Sequence, residues 1–379
     1  MDPREQAFRE FTRYFGKPMT PDDYEAAYVR VGSSMSRAGD IVQLPVRMMS
    51  DIASVFDNER NCLGMKFDSF CGLNSHMSIN ALVGLNRHIF CVAIYEGLLA
   101  SIYEVSYWLL GDPGFMPDVG DVNLVRRSFA DRLADQAKGV GHIWEQRVAS
   151  GQETFSDDLF LIACPVRSEA AKQLVYEMVK FVVFHELAHI VLGHAVYLQR
   201  SHGLAHIAET DTGAQTALPE STVANRIFEY EADFNAFKKV LTVGIYASAD
   251  LSREPFVARL RAVASFLVLG LFFKEWERSG SRVTLHPEPL KRMYALKRRL
   301  DRHPGLSDER SGGSSAALDD DLESISRSLN MPEFAQNWKI ADKSWGREFE
   351  QEHQMAARYV REALPFGFVR AISVPVSAT

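Results

Sequence analysis

The chain has 379 residues, 46% of them hydrophobic and 24% charged, with 42 Lys and Arg against 49 Asp and Glu and a net charge of −7. Such a balance gives a globular protein enough apolar material for a large core, and it argues against general nucleic-acid binding, which calls for a basic surplus. The four cysteines, Cys62, Cys71, Cys91 and Cys164, have neither paired zinc-ribbon spacing nor the density of a secreted disulfide scaffold, so they read as reduced thiols of a cytoplasmic protein.

The N-terminus, Met1-Asp-Pro-Arg-Glu-Gln, is charged and has no apolar core, unlike a signal peptide. Residues 1–60 alternate short amphipathic stretches with Gly, Pro and Ser breaks, which predicts an N-terminal helical region. Ile89-Phe-Cys-Val-Ala-Ile94 has the length and apolar character of a buried strand. Glu96-Gly97 breaks it, and Leu98–Leu110 reads as a helix stopped by Gly111-Asp-Pro113-Gly114. Residues 111–167 are loop-rich at both ends, with a helix expected over 122–148. Ser168 is a candidate N-cap for a helix of about six turns ending at Leu192, with Gly193 placed to stop it.

That helix carries His185-Glu186-Leu187-Ala188-His189, an HExxH sequence. Residues four apart leave the same helix face about one turn apart, so the two imidazoles suit two corners of a zinc tetrahedron. Glu186 points about 100° away, where it can hold a metal-bound water. Phe181, Val182, Val183, Phe184, Leu187, Ile190 and Val191 make the helix apolar nearly all round, so it should be buried. Two histidines and a glutamate in that setting are costly unless a divalent cation compensates them. His194 stands nine residues after His185, about half a turn away round the helix, and reads as structural, at the helix C-terminus.

Residues 199–222 are polar, small and turn-rich, which predicts a mobile loop with His202 and His206 exposed in it. The next helix places Glu229 and Asp233 four apart on one face, with Glu231 on a different side. A long apolar helix is expected over 255–278, and a further one from Pro287 to Arg302, with His286 at its start. The longest uncharged apolar run, Ala262–Phe273, is too short to span a bilayer. Residues 303–322, rich in Ser, Gly and Asp, read as a flexible linker, and 323–379 as a C-terminal helical tail.

These residues resemble the gluzincin metallopeptidases of the CAAX prenyl protease and bacterial heat-shock membrane protease type. Asn80-Ala81 with Ile89–Val92 and Gly97-Leu98-Leu99 is similar to that family's edge strand and following helix. His185–His189 with Glu229-Tyr-Glu-Ala-Asp233 resembles its zinc signature, and His286-Pro287 with Arg292 its late His-Pro…Arg motif. The resemblance implies one Zn2+ per chain held by His185, His189 and Glu229, with Glu186 as general base. It also implies that Asp233 orients a ligand histidine and that His286 and Arg292 steady the oxyanion. Soluble prophage-associated regulatory peptidases with an HExxH motif are the second match. Unlike the best-known members of the first family, this sequence has no recognisable membrane span.

The expectation is therefore a mainly α chain with a small β-sheet (α+β), in which a zincin-like peptidase domain over 61–302 has helical additions at both ends. Its function would be hydrolysis of peptide bonds in a protein or peptide substrate by zinc-activated water, with an extended substrate pairing along the 89–94 strand. Two alternatives stand beside it: a dedicated regulatory or phage-response peptidase with one protein partner, and a catalytically silent zinc-stabilised binding module.

Overall fold

The computed structural model describes residues 68–74, 80–86, 89–124, 162–197, 206–208, 219–244, 256–279, 289–302 and 315–328, with Arg9, Thr12, Met49 and Ile52. Within them the chain is α+β. Strands β1 (Asp68–Asn74), β2 (Ala81–Asn86) and β3 (Ile89–Tyr95) are followed by α1 (Glu96–Gly111) and a 3-10 turn at Val122–Leu124. Then come α2 (Pro165–Val191), β4 (His206–Ala208), α3 (Pro219–Thr242), α4 (Phe256–Ser279), α5 (Pro289–Arg302) and α6 (Ser315–Ser328).

The four strands form one sheet in the order β1-β3-β2-β4. β3 pairs parallel with β1, Cys71 facing Val92, and antiparallel with β2, Val83 facing Val92. The strand expected over 89–94 is present, but it is central and has no free edge for a substrate. Its run of Cys91, Val92, Ala93 and Ile94 is buried, as a strand flanked on both sides should be. The edges among the described residues are β1 and β4. β4 falls within the loop expected over 199–222, and it pairs antiparallel with β2, His206 facing Gly84. The helix expected over 122–148 lies outside the described residues beyond its first turn.

α1 begins where β3 ends, Tyr95 serving as its N-cap. α2 starts three residues before the expected cap, because Pro165 fits the first helical turn, where its missing N–H costs nothing. The N-cap is Cys164, and the Ser168 amide bonds its carbonyl at 3.0 Å. α2 is the central element. α1, α3 and α4 pack around it and the sheet touches it, so its apolar residues from Phe181 to Ile190 are buried on every side. α5 lies across α3 and α4, and α6 lies on α4. Among the described helices, α4 has a window, Phe256–Phe273, long and apolar enough to cross a membrane; 83% of it is buried inside the fold, as suits a core helix.

Three polar stations interrupt the apolar surface of α2. At its start, Arg167 turns its guanidinium onto the loop after α1. Between three and four turns further, Lys180 pairs with Glu177 at 2.5 Å and donates to the Val243 carbonyl at 2.9 Å, tying α2 to the end of α3. The third station is the HExxH segment.

α6 begins inside the segment expected to be a linker. Leu318, Leu322 and Ile325 recur at helical spacing and are buried, while Asp319 and Asp320 stay exposed, so the acidic run is one face of an amphipathic helix. Arg259 of α4 anchors it. Its guanidinium is bidentate to Asp118 at 2.9 and 2.7 Å, and its Nε lies 2.8 Å from Asp321. Asp118 is 58% exposed, and Arg259 holds its carboxyl below the usual range. Burial pushes Asp321 up from 3.8 to about 7, against the pull of Arg259. Two carboxylates share one cation, and the buried one keeps its proton longer. Because the folded value lies above the unfolded one, the folded chain binds more protons between about 4 and 7. The Asp321 contribution to stability is thus present at low pH and lost as the pH rises through 7. In urea unfolding at pH 5 and pH 8, wild type is expected to lose stability relative to Asp321→Asn on going to the higher pH. A constant difference between the two proteins would reject this assignment.

Candidate metal centre

The third station of α2 faces α3, and a cluster of buried polar groups lies between them. His185, Glu186 and His189 from α2, with Glu229 and Asp233 from α3, are all buried. The helical spacing that puts each pair on one face is met on both helices, and their close packing brings the two faces together.

The donor atoms converge. His185 Nε2 and His189 Nε2 are 3.0 Å apart, His185 Nε2 is 3.3 Å from Glu229 Oε2, and His189 Nε2 is 3.5 Å from Glu229 Oε1. Ligands about 2.0–2.1 Å from a tetrahedral zinc lie roughly 3.3 Å from one another, so this triangle has the size such an ion requires. On the far side of the first ring, His185 Nδ1 lies 2.9 Å from Asp233 Oδ1. A proton on that nitrogen leaves the Nε2 lone pair for the centre of the triangle. The donor set, two imidazoles and a carboxylate, is the chemistry of a borderline divalent cation, and the three residues fit a metal ion.

Arg292 of α5 stands beside the triangle. Sequence reasoning offered it to an oxyanion; the structure turns its guanidinium inward. It donates from Nε and Nη2 to the two oxygens of Asp233, each at 2.7 Å, and its Nη1 lies 3.3 Å from Glu229 Oε2. Phe272 covers the guanidinium carbon at 5.9 Å from its ring centroid. A planar fork with five donors suits this bidentate grip, which fixes both carboxylates at once. His286 lies outside the described residues, as does His202.

His194 was read as a helix-end residue, and the structure gives it closer company. Its Nδ1 is 3.1 Å from His189 Nδ1, and its Nε2 is 3.4 Å from Glu231 Oε2. The ring stacks on Phe228 at 4.2 Å and 15°. Burial pushes its pKa down to about 3, so the ring is neutral. Glu186 is buried one residue along from His185. Its charge, with that of Cys91, adds to the loss of solvation that pushes the Cys71 thiol of β1 up to about 12. The β1 edge and Glu186 are thus electrostatic neighbours.

The fold and the site together define an α+β protein with a candidate divalent-metal centre between two packed helices. The sequence model of the Peptidase U49 family matches residues 144–306, which include every donor named above and Arg292, and the match supports a peptidase. It leaves out β1, β2, β3, α1 and the 3-10 turn on one side and α6 on the other. No curated protein and no solved structure matches the chain.

Proposed function

We propose that the chain is a zinc-dependent metallopeptidase of gluzincin type, with His185, His189 and Glu229 as metal ligands and Glu186 as general base. The observation that carries this reading is the convergence of three donor atoms, 3.0–3.5 Å apart, from two helices within a span that resembles a peptidase family. A zinc ion held there would supply Lewis acidity, making water acidic near neutral pH and polarising a carbonyl.

The chain's own residues do the rest. The Glu186 carboxylate takes the proton of the attacking water and hands it to the leaving amide nitrogen. Asp233 holds His185 through Nδ1, and Arg292 fixes Asp233 and Glu229, so the ligands enter the reaction already oriented. In this reading Arg292 acts through those carboxylates and touches no substrate. The oxyanion role stays with His286. An extended substrate would pair with β1, an edge strand among the described residues and near Glu186, in place of β3. The chain would work in the cytoplasm, where the free thiols of Cys71, Cys91 and Cys164 stay reduced.

The test is metal analysis by mass spectrometry together with cleavage of unfolded casein, before and after treatment with a zinc chelator. One zinc per chain, cleavage lost on chelation and regained on adding zinc is the expected result. Cleavage that survives complete removal of metal would overturn the proposal. Zinc without casein cleavage would favour a dedicated protein partner or a silent binding module.

A further inference from the structure

His185 has Asp233 behind it, and His189 is met on its far side by the end of α2. The helix stops at Val191, and Gly193 takes φ 80°, a left-handed conformation that favours glycine. The chain then makes one more helical turn, with the Tyr197 amide on the Gly193 carbonyl at 2.9 Å. This break cancels the half-turn offset that an unbroken helix would give His194 relative to His185, and it folds the ring back against His189.

The contacts at His194 fix its protons. The carboxylate oxygen accepts at this contact, so Nε2, 3.4 Å from Glu231 Oε2, carries the hydrogen. With that hydrogen on Nε2, the His194 ring offers Nδ1 as an acceptor, and the nitrogen 3.1 Å away, His189 Nδ1, donates to it. With its proton on Nδ1, His189 presents a bare Nε2 to the triangle. Phe228, stacked on the His194 ring and braced edge-on by Tyr197 at 5.4 Å, holds the imidazole in this orientation.

We propose that His194 and Glu231 form a positioning relay, Glu231 to His194 to His189, that sets the tautomer and aim of the second metal ligand as Asp233 does for the first. This rests on the metal reading and extends it. Helix α3 would then serve the centre three times, through Glu229 as ligand, Asp233 behind His185 and Glu231 behind His194. Glu231 can do so because it lies on a different side of the helix from the other two acids.

The experiment measures zinc affinity of the full apo chain by competition with a chromophoric chelator, and the visible spectrum of the cobalt-substituted chain. His194→Phe keeps an aromatic ring on Phe228 and removes the acceptor; His194→Asn restores an acceptor oxygen near the place of Nδ1. His194→Phe is expected to weaken zinc binding by about 10–100-fold and shift the cobalt bands, with His194→Asn recovering most of both. Wild-type affinity in His194→Phe would overturn the relay, as would equal losses in both variants, which would mark a packing role. If His194→Phe fails to fold, Glu231→Leu leaves the stacked ring in place and is expected to lose affinity several-fold; unchanged affinity there overturns the relay. Failure of wild type itself to bind zinc would instead bring down the metal reading beneath it.

Discussion

Glu186→Gln is expected to leave the zinc content of the chain unchanged and to lower casein cleavage by about 10²- to 10⁴-fold, the usual loss when a positioned general base is removed. In free energy this is about 3–5 kcal/mol of transition-state stabilisation. The substitution keeps the size of a buried side chain and removes only its ability to take a proton, so packing against α3 and the sheet should persist. The three donors are untouched, because Glu186 leaves α2 on a different side from His185 and His189. Metal content and initial rates, measured on the same preparations, separate the two effects. A variant with full zinc and near-wild-type turnover would remove Glu186 from the chemistry and leave the metal assignment standing.

Arg167→Met is expected to destabilise the fold by about 3–5 kcal/mol, a large part of the stability of a typical domain. Five hydrogen bonds leave this one guanidinium. Nε donates to the Leu110 carbonyl at 2.7 Å, Nη1 to Met116 at 3.0 Å and Val119 at 2.9 Å, and Nη2 to Asp112 and Phe115, each at 2.8 Å. The first of these acceptors belongs to the last turn of α1, where a cation also meets the negative end of the helix dipole. The others come from the tight loop that follows, in which Met116 takes φ 46° and Gly120 φ 66°. Methionine fills the space and satisfies none of the carbonyls, and each orphaned buried acceptor costs about 1–3 kcal/mol before relaxation. Arg167→Lys, with three donors on a point charge, should recover only part of the loss. Urea unfolding of the three proteins decides it. A methionine variant within about 1 kcal/mol of wild type would mean that the loop does not depend on this clasp.

The sequence makes the centre of the molecule legible because its signals are local. Apolar residues all round 181–192 predict a buried helix, and the 185/189 and 229/233 spacings each put two polar side chains on one face. Those periods survive into the structure because helical geometry alone sets them. What sequence reading missed depends on contacts far along the chain. The position of β3 inside the sheet comes from its parallel pairing with Asp68–Asn74, a segment in which Asp68, Ser69, Gly72 and Asn74 leave no clear strand pattern. The resemblance gave Arg292 to the oxyanion, and nothing in its own helix announces that Asp233 holds it from another. His194 reads as structural at the helix end, with Gly193 as the stop, but its contact with His189 depends on how the chain leaves the helix. The left-handed turn at Gly193 decides where the side chain goes, and helix periodicity alone does not supply it. In α6 the Ser, Gly and Asp composition outweighed the spacing of Leu318, Leu322 and Ile325, although that spacing is helical.

The enclosure of α2 bears on how the protein would answer to its surroundings. In small zinc domains the ion assembles the fold, and withdrawing it unfolds the chain. Here the helix bearing two donors is wrapped by three other helices and a sheet, and Arg292 holds Asp233 and Glu229, so the backbone of the centre is ordered by apolar packing. A chain short of metal would persist as a folded, refillable reserve. Metal supply would then govern how many copies are switched on at a given moment, while the number of copies present would be set by synthesis and degradation.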